Sequence, residues 1–185
     1  MPAPQKLAHV VLTTGQKDAL TDWYCKVLSA HVQIETAAAT FLTYDDEHHR
    51  IAIAPIEQAV HPTPRHTGLS HIAFTFGELA DLLQTFDDLR NEGITPFWTV
   101  NHGTTSSIYY ADPDGNRVEL QVDNFATNEQ GNAYLRSERF AANPLGVRFD
   151  PAEYLARLRS GETSERLMAE LARVEGEPVA RPVGV

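Results

Sequence analysis

The stretch LAHVVLTT (residues 7–14) returns as LSHIAFTF at residues 69–76. Both read Leu-x-His followed by alternating small and apolar residues and a threonine, and the two histidines are 71 − 9 = 62 residues apart. A repeat of this size commits the chain to building one supersecondary unit twice. In strand geometry Leu7, His9, Val11 and Thr13 share one face, and Leu69, His71, Ala73 and Thr75 share the matching face of the second copy. The opposite faces are apolar as well, so both strands are expected to lie centrally, covered on each side.

Each copy continues in the same order. Leu20, Trp23, Tyr24, Val27 and Leu28 follow helical spacing in the first copy, and Leu79, Leu82, Leu83, Phe86 and Leu89 do so in the second. Gly93 stands where a helix C-terminus belongs. Three β-prone runs follow each helix, at about residues 31–37, 40–44 and 50–55, then at about 95–101, 106–111 and 117–122. The closing hairpins DDEHHRIAI (45–53) and DPDGNRVEL (112–120) correspond, and Pro113-Asp114-Gly115 is a strong turn signal. The fold class is therefore α+β: two βαβββ modules forming a curved mixed sheet around a central site, over residues 1–123. Residues 124–185 read as a helical C-terminal extension. Asp150-Pro151 marks a helix start ahead of Tyr154, Leu155 and Leu158. Leu167, Met168, Leu171 and Val174 give a second helical pattern. In the connector RFAANPLGVRFD (139–150), Phe140, Leu145, Val147 and Phe149 predict docking beside the open site or on a partner subunit. The end, EGEPVARPVGV, is expected to be disordered.

Fifteen Lys and Arg against 25 Asp and Glu give a formal charge of −10, which argues against nucleic acid or an anionic membrane as partner. Cys25 is the single cysteine, so no internal disulfide can form. No run approaches the ~20 apolar residues of a membrane span. With no signal-peptide pattern at the start, a cytoplasmic location is expected.

The strand RVELQV (117–122) places Val118, Leu120 and Val122 on one face and Glu119 with Gln121 on the other. An inward carboxylate needs a reason, and the repeat supplies one. If the modules pair around one site, His9, His71 and Glu119 come from corresponding strands. Two neutral imidazoles and a carboxylate are the facial set that holds a divalent metal such as Fe(II) and leaves positions open. A cation would make the carboxylate tolerable. Taken singly, each histidine is better explained as a satisfied core residue; their repeat-equivalent placement, with a third ligand type, points to ligation.

The paired Leu-x-His strands and the DPDGNRVEL hairpin resemble the vicinal oxygen chelate superfamily over roughly residues 5–123. That superfamily includes glyoxalases, extradiol ring-cleaving dioxygenases, acyl-CoA epimerases and antibiotic-resistance proteins. The resemblance implies the fold and the metal cup. Glyoxalase-like and epimerase-like members usually carry a fourth protein ligand on the last strand of the first module. Aligning the hairpins sets Arg50 on Arg117 and Ala52 on Glu119. A constant offset of 62 would instead select Glu57, but Pro55 is expected to end that strand. With alanine at the fourth place, three protein ligands remain, as in the extradiol dioxygenases.

His102 and Tyr109 resemble the histidine and tyrosine next to the metal in those enzymes. The resemblance gives Tyr109 a hydrogen bond to bound substrate and His102 a proton-donating role near the reacting oxygen. Trp98 and Phe97 are candidates for the ring pocket. His61 and His66 are candidates for the further histidine of the larger enzymes, and His48 and His49 are expected to be solvated in a turn. The implied reaction is ring cleavage of a catechol or related vicinal diol by O2 at mononuclear Fe(II), with Mn(II) suiting the same donors. Expected partners are a small aromatic diol, O2 and further copies of the chain. The rival readings are a metal-dependent isomerase or lyase, and a non-catalytic protein that binds an aromatic drug.

Overall fold

A computed structural model describes residues 1–60, 67–180 and 182. His61 and His66 lie outside them. The chain divides into two units, Met1–Thr63 with Asp112–Asn116, and Pro64–Ala111 with Arg117–Val185.

The first unit runs β1 (Val10–Thr14), α1 (Lys17–Val27), β2 (His31–Glu35), β3 (Thr40–Thr43) and β4 (Ile51–Pro55). Its sheet has the order β1-β4-β3-β2, with β1 parallel to β4 and the other pairs antiparallel. Helix α1 buries Leu20, Trp23, Tyr24 and Val27, the predicted stripe, and the sheet contributes Leu42, Ile51 and Ile53 to the core. Each fully buried side chain of this size stabilises by ~1.5–3 kcal/mol. The turn Asp112–Asn116 clusters with this unit, where the Tyr24 hydroxyl donates to Asp112 at 3.1 Å.

The second unit repeats the pattern with β5 (Ile72–Phe76), α2 (Leu79–Asn91), β6 (Trp98–Asn101), β7 (Thr105–Ala111) and β8 (Arg117–Asp123). Gly93 adopts φ +80 just past α2, the left-handed position expected of it. The extension adds α3 (Asn128–Leu135), α4 (Glu138–Ala142), β9 (Val147–Arg148), α5 (Pro151–Arg159) and α6 (Ser164–Leu171). Strand β9 extends the second sheet to β5-β8-β7-β6-β9. The expected sheet is thus realised as one mixed sheet per module.

The parallel registers settle the alignment of the repeats. Val11 faces Ala52 across β1 and β4, and Ala73 faces Glu119 across β5 and β8. Since 73 − 11 = 62, Ala52 is the counterpart of Glu119. Glu57 falls beyond the end of β4. One expectation fails. Strands β1 and β5 end their sheets instead of lying centrally, and Val11 is 57% exposed. A second apolar face does not by itself bring a covering layer, and among the described residues Val11 and Thr13 are left exposed.

Asp150 caps α5 by accepting from Ala152 N and Glu153 N, with Pro151 at the first position, as read. Arg157 pairs with Glu162 and Glu170, and Tyr154 donates to Glu170 at 2.9 Å. Arg159 reaches Asp87 on α2. The residues Glu177–Val179, expected to be disordered, instead bond to β9 through Arg148 N to Glu177 O and Val179 N to Gly146 O. The unpaired edge of β9 supplies backbone partners that composition does not reveal. Among the described residues, no helix is long and apolar enough to cross a membrane.

The Arg157 guanidinium holds the Glu170 carboxyl down to about 2 from its ordinary 4.5. A depressed folded value means stability that is present above pH 4.5 and lost as pH falls toward 2. The expected result is that amide protection in α5 and α6 declines through this window. Arg157→Met should flatten that dependence in hydrogen exchange, and an unchanged profile would refute the link.

Candidate active site

The chemistry-bearing residues of the second unit gather because of strand register. Trp98 faces Tyr109 across β6 and β7, and Tyr109 faces Glu119 across β7 and β8, so the three stand in one transverse row. His71 lies two residues before Ala73, which faces Glu119 across β5 and β8, and period two returns it to the same face. Its Nε2 sits 3.0 Å from Glu119 Oε2. Glu119 is only 4% exposed, an unusual position for a carboxylate.

A cavity of 380 Å³ opens over this row, lined by His71, Trp98, His102, Tyr109, Glu119 and Leu145 among others. Trp98 stacks on Tyr109 with ring centroids 4.9 Å apart. The Tyr109 hydroxyl lies 2.9 Å from His102 Nε2, and His102 Nδ1 lies 2.7 Å from the Leu145 carbonyl. The connector singled out in the sequence therefore reaches the cavity through Pro144 and Leu145. Phe97 does not line it; it precedes β6 and is exposed, its ring centroid 6.2 Å from that of Tyr109. A larger cleft of 760 Å³ at the ends of β5 and β8 is lined by Glu78, Asp123 and Glu165 but by no histidine.

His9 belongs to the first unit, one residue before β1. Arg50, held by Asp45, donates to the carbonyls of Leu7 and Ala8 and so fixes the chain that leads into it. The His9 ring meets His49 at 4.5 Å between centroids. Among the described residues, no group of three or more His, Cys, Asp or Glu side chains converges closely enough to hold a metal. The structure thus joins His71 with Glu119 and places His9 against His49.

His49 is the residue that sequence reading missed. Assigned to a solvated turn, it is half-buried, wedged between His9 and the edge of the Phe41 ring, while His48 stays exposed. Burial, then repulsion from His48 and His9, lowers its pKa below the ordinary imidazole value. The signal was available in the hairpin alignment, because His49 immediately precedes Arg50, whose backbone accepts from Val10 N next to His9.

Residues 6–120 match the family model described as Glyoxalase/Bleomycin resistance protein/Dioxygenase superfamily. The chain belongs to this superfamily. Two superfamily relatives come from Rhodococcus globerulus. Biphenyl-2,3-diol 1,2-dioxygenase 2 is 43% identical over 179 residues, covering 96% of this chain and 94% of that protein. Biphenyl-2,3-diol 1,2-dioxygenase 3 is 44% identical over 169 residues, covering 90% and 89%. A solved glyoxalase/dioxygenase from Nostoc punctiforme shares the fold, with a TM-score of 0.55 at 19% identity, covering 66% of this chain and 96% of that one. The matches to the two dioxygenases run through the C-terminal extension, whereas the superfamily model ends at residue 120. Within the superfamily the chain stands with the extradiol ring-cleaving dioxygenases, and membership implies a metal ion.

Proposed function

We propose that this protein is a cytoplasmic extradiol dioxygenase that opens the ring of an aryl-substituted catechol with O2, using Fe(II) held by His9, His71 and Glu119. The observation that carries the reading is the repeat register: the place equivalent to Glu119 is Ala52, which cannot coordinate. Three protein donors leave room for both diol oxygens and for O2, whereas a fourth would not. The donor set fits, since two imidazoles and a buried carboxylate suit Fe(II) and accept Mn(II). Bound there, iron would supply the redox change that lets a catechol react with O2.

The chain's own residues do the rest. Tyr109 lines the cavity and its hydroxyl, beside His102, can hydrogen-bond a diol oxygen. His102, linked to Tyr109, can take up a proton at Nε2 as the diol binds and return it to the reacting oxygen. His49, beside His9, is a further imidazole able to hydrogen-bond a molecule bound there. Trp98, Pro144 and Leu145 form an apolar wall that suits an aromatic ring and keeps water away. Assembly with further copies is part of the same proposal, supported by the exposed Leu7, Val11 and Leu69 beside edge strands.

Protein purified without air and tested on a panel of simple and aryl catechols should consume O2 and form a yellow ring-opened product. Metal analysis should find iron in the active fraction. Absence of O2 uptake across the panel, with isomerisation of a thiohemiacetal or acyl-CoA substrate, would replace this reading with the isomerase.

A further inference from the structure

We propose that the C-terminal extension is a positioning device for His102, clamping residues 101–103 and fixing the ring as its Nδ1–H tautomer through the Leu145 carbonyl. The inference rests on the role given to His102 above. A carbonyl oxygen can only accept, so the nitrogen 2.7 Å from Leu145 O must carry the proton. The Nε2 lone pair of the neutral ring is then left for the Tyr109 hydroxyl, which donates at 2.9 Å. One backbone contact thereby selects both the tautomer and the nitrogen presented beside Tyr109.

The carbonyl is held in place by a built turn. Asn143 Nδ2 donates to Gly146 O at 2.8 Å, and Gly146 N donates back to Asn143 Oδ1 at 3.1 Å. Gly146 has φ +103, and a Cβ there would lie 2.0 Å from Asn101 O and 2.8 Å from His102 Cα. Only glycine lets the extension approach the His102 backbone this closely.

Two other parts of the extension grip the same residues. Tyr134 of α3 covers Gly103, where a Cβ would fall 2.1 Å from its ring. At the end of α6 the Leu171 carbonyl accepts from Asn101 Nδ2 at 2.8 Å. Asn101 Oδ1 in turn accepts from Gly103 N and from Asn124 Nδ2, all of them buried. Three separate segments of the extension thus converge on one tripeptide. Ordinary helix docking would not require a glycine at positive φ on each side of the contact, Gly103 within the tripeptide and Gly146 against it.

The test uses histidine labelled with ¹⁵N in the full-length, metal-free protein, with the His102 signals assigned by their loss in His102→Ala. In the wild type, Nδ1 of His102 should be protonated and Nε2 not. Asn143→Ala, which touches neither cavity nor metal residues, should release the ring into a mixture of tautomers. In the iron-loaded enzyme the same change should lower kcat about tenfold with little effect on KM. Combined with His102→Ala, it should cause no further loss. Gly146→Ala should do the same more strongly, and Asn143→Ala carries the test if that variant does not fold. A wild-type ring with its proton on Nε2, or an equal kcat loss from Asn143→Ala in the His102→Ala background, would overturn the proposal. The spectrum needs neither metal nor substrate. A locked Nδ1–H ring in a protein that turns over no catechol would therefore uphold the clamp while refuting the dioxygenase reading.

Discussion

Glu119→Ala is expected to fold, to lose its metal and to lose ring cleavage altogether. The carboxylate is 4% exposed and its near partner is His71 Nε2 at 3.0 Å. Burying a carboxylate is unfavourable unless a cation or strong hydrogen bonds offset it, and one imidazole at a half-open position does so weakly. Removing the group from the metal-free protein should therefore change stability by less than about 1 kcal/mol, because the remaining His71 side chain is open enough to reach water. The metal-bound protein behaves differently. Removing an outer partner of a metal ligand costs about 10–100-fold in affinity, and removing the charged ligand itself should exceed that range. Thermal unfolding with and without added Fe(II) or Mn(II) separates the two effects, since only the wild type should gain stability from metal. Glu119→Gln keeps the volume but not the charge and should behave as Glu119→Ala does. The same experiment on His9→Ala tests the proposed role of that histidine. Near-stoichiometric metal in Glu119→Ala would refute the assignment.

The parts legible in the sequence were those set by local pattern and repetition. The hairpin through Asp112–Asn116 fixes which residue faces which, so the pairing of Tyr109 with Glu119 follows once the turn is recognised. Aligning the two hairpins identified Ala52 as the counterpart of Glu119, and both parallel registers agree. What stayed hidden depends on contacts between distant segments. His49 looked solvated because its turn is polar, yet its ring packs on His9, 40 residues earlier in the chain. Helix α3 buries no residue fully and is defined by the Thr127 capping box, so it has no apolar stripe to find. Strand β9 is two residues long and exists because β6 offers it an edge. The grip of the extension on His102 is carried by backbone carbonyls and glycines, which leave no chemical label in a sequence.

Asp112→Ala is expected to cost about 3 kcal/mol or more, a large share of the stability of a domain. The turn motif reads as Pro-Asp-Gly chemistry, but its centre is the first aspartate. Asp112 accepts from Asp114 N at 3.0 Å, Asn116 N at 2.8 Å, Asn116 Nδ2 at 2.9 Å and the Tyr24 hydroxyl at 3.1 Å. Gly115 closes the turn at φ +84. Tyr24 is fully buried, so loss of the carboxylate strands its hydroxyl away from water together with the turn amides. Tyr24→Phe removes one donor and leaves Asp112 three others, so it should cost only about 1 kcal/mol. Burial raises the pKa of Asp112 above its ordinary 3.8, with the hydrogen bonds opposing. A raised folded value means a stabilising contribution that is complete below pH 3.8 and declines as pH rises through the folded pKa. The penalty of Asp112→Ala should accordingly grow on acidification, the reverse of what Glu170 predicts. Urea denaturation of both variants between pH 4 and 8 would measure this. If Asp112→Ala unfolded within about 0.5 kcal/mol of the wild type at every pH, the turn would be held by its backbone alone.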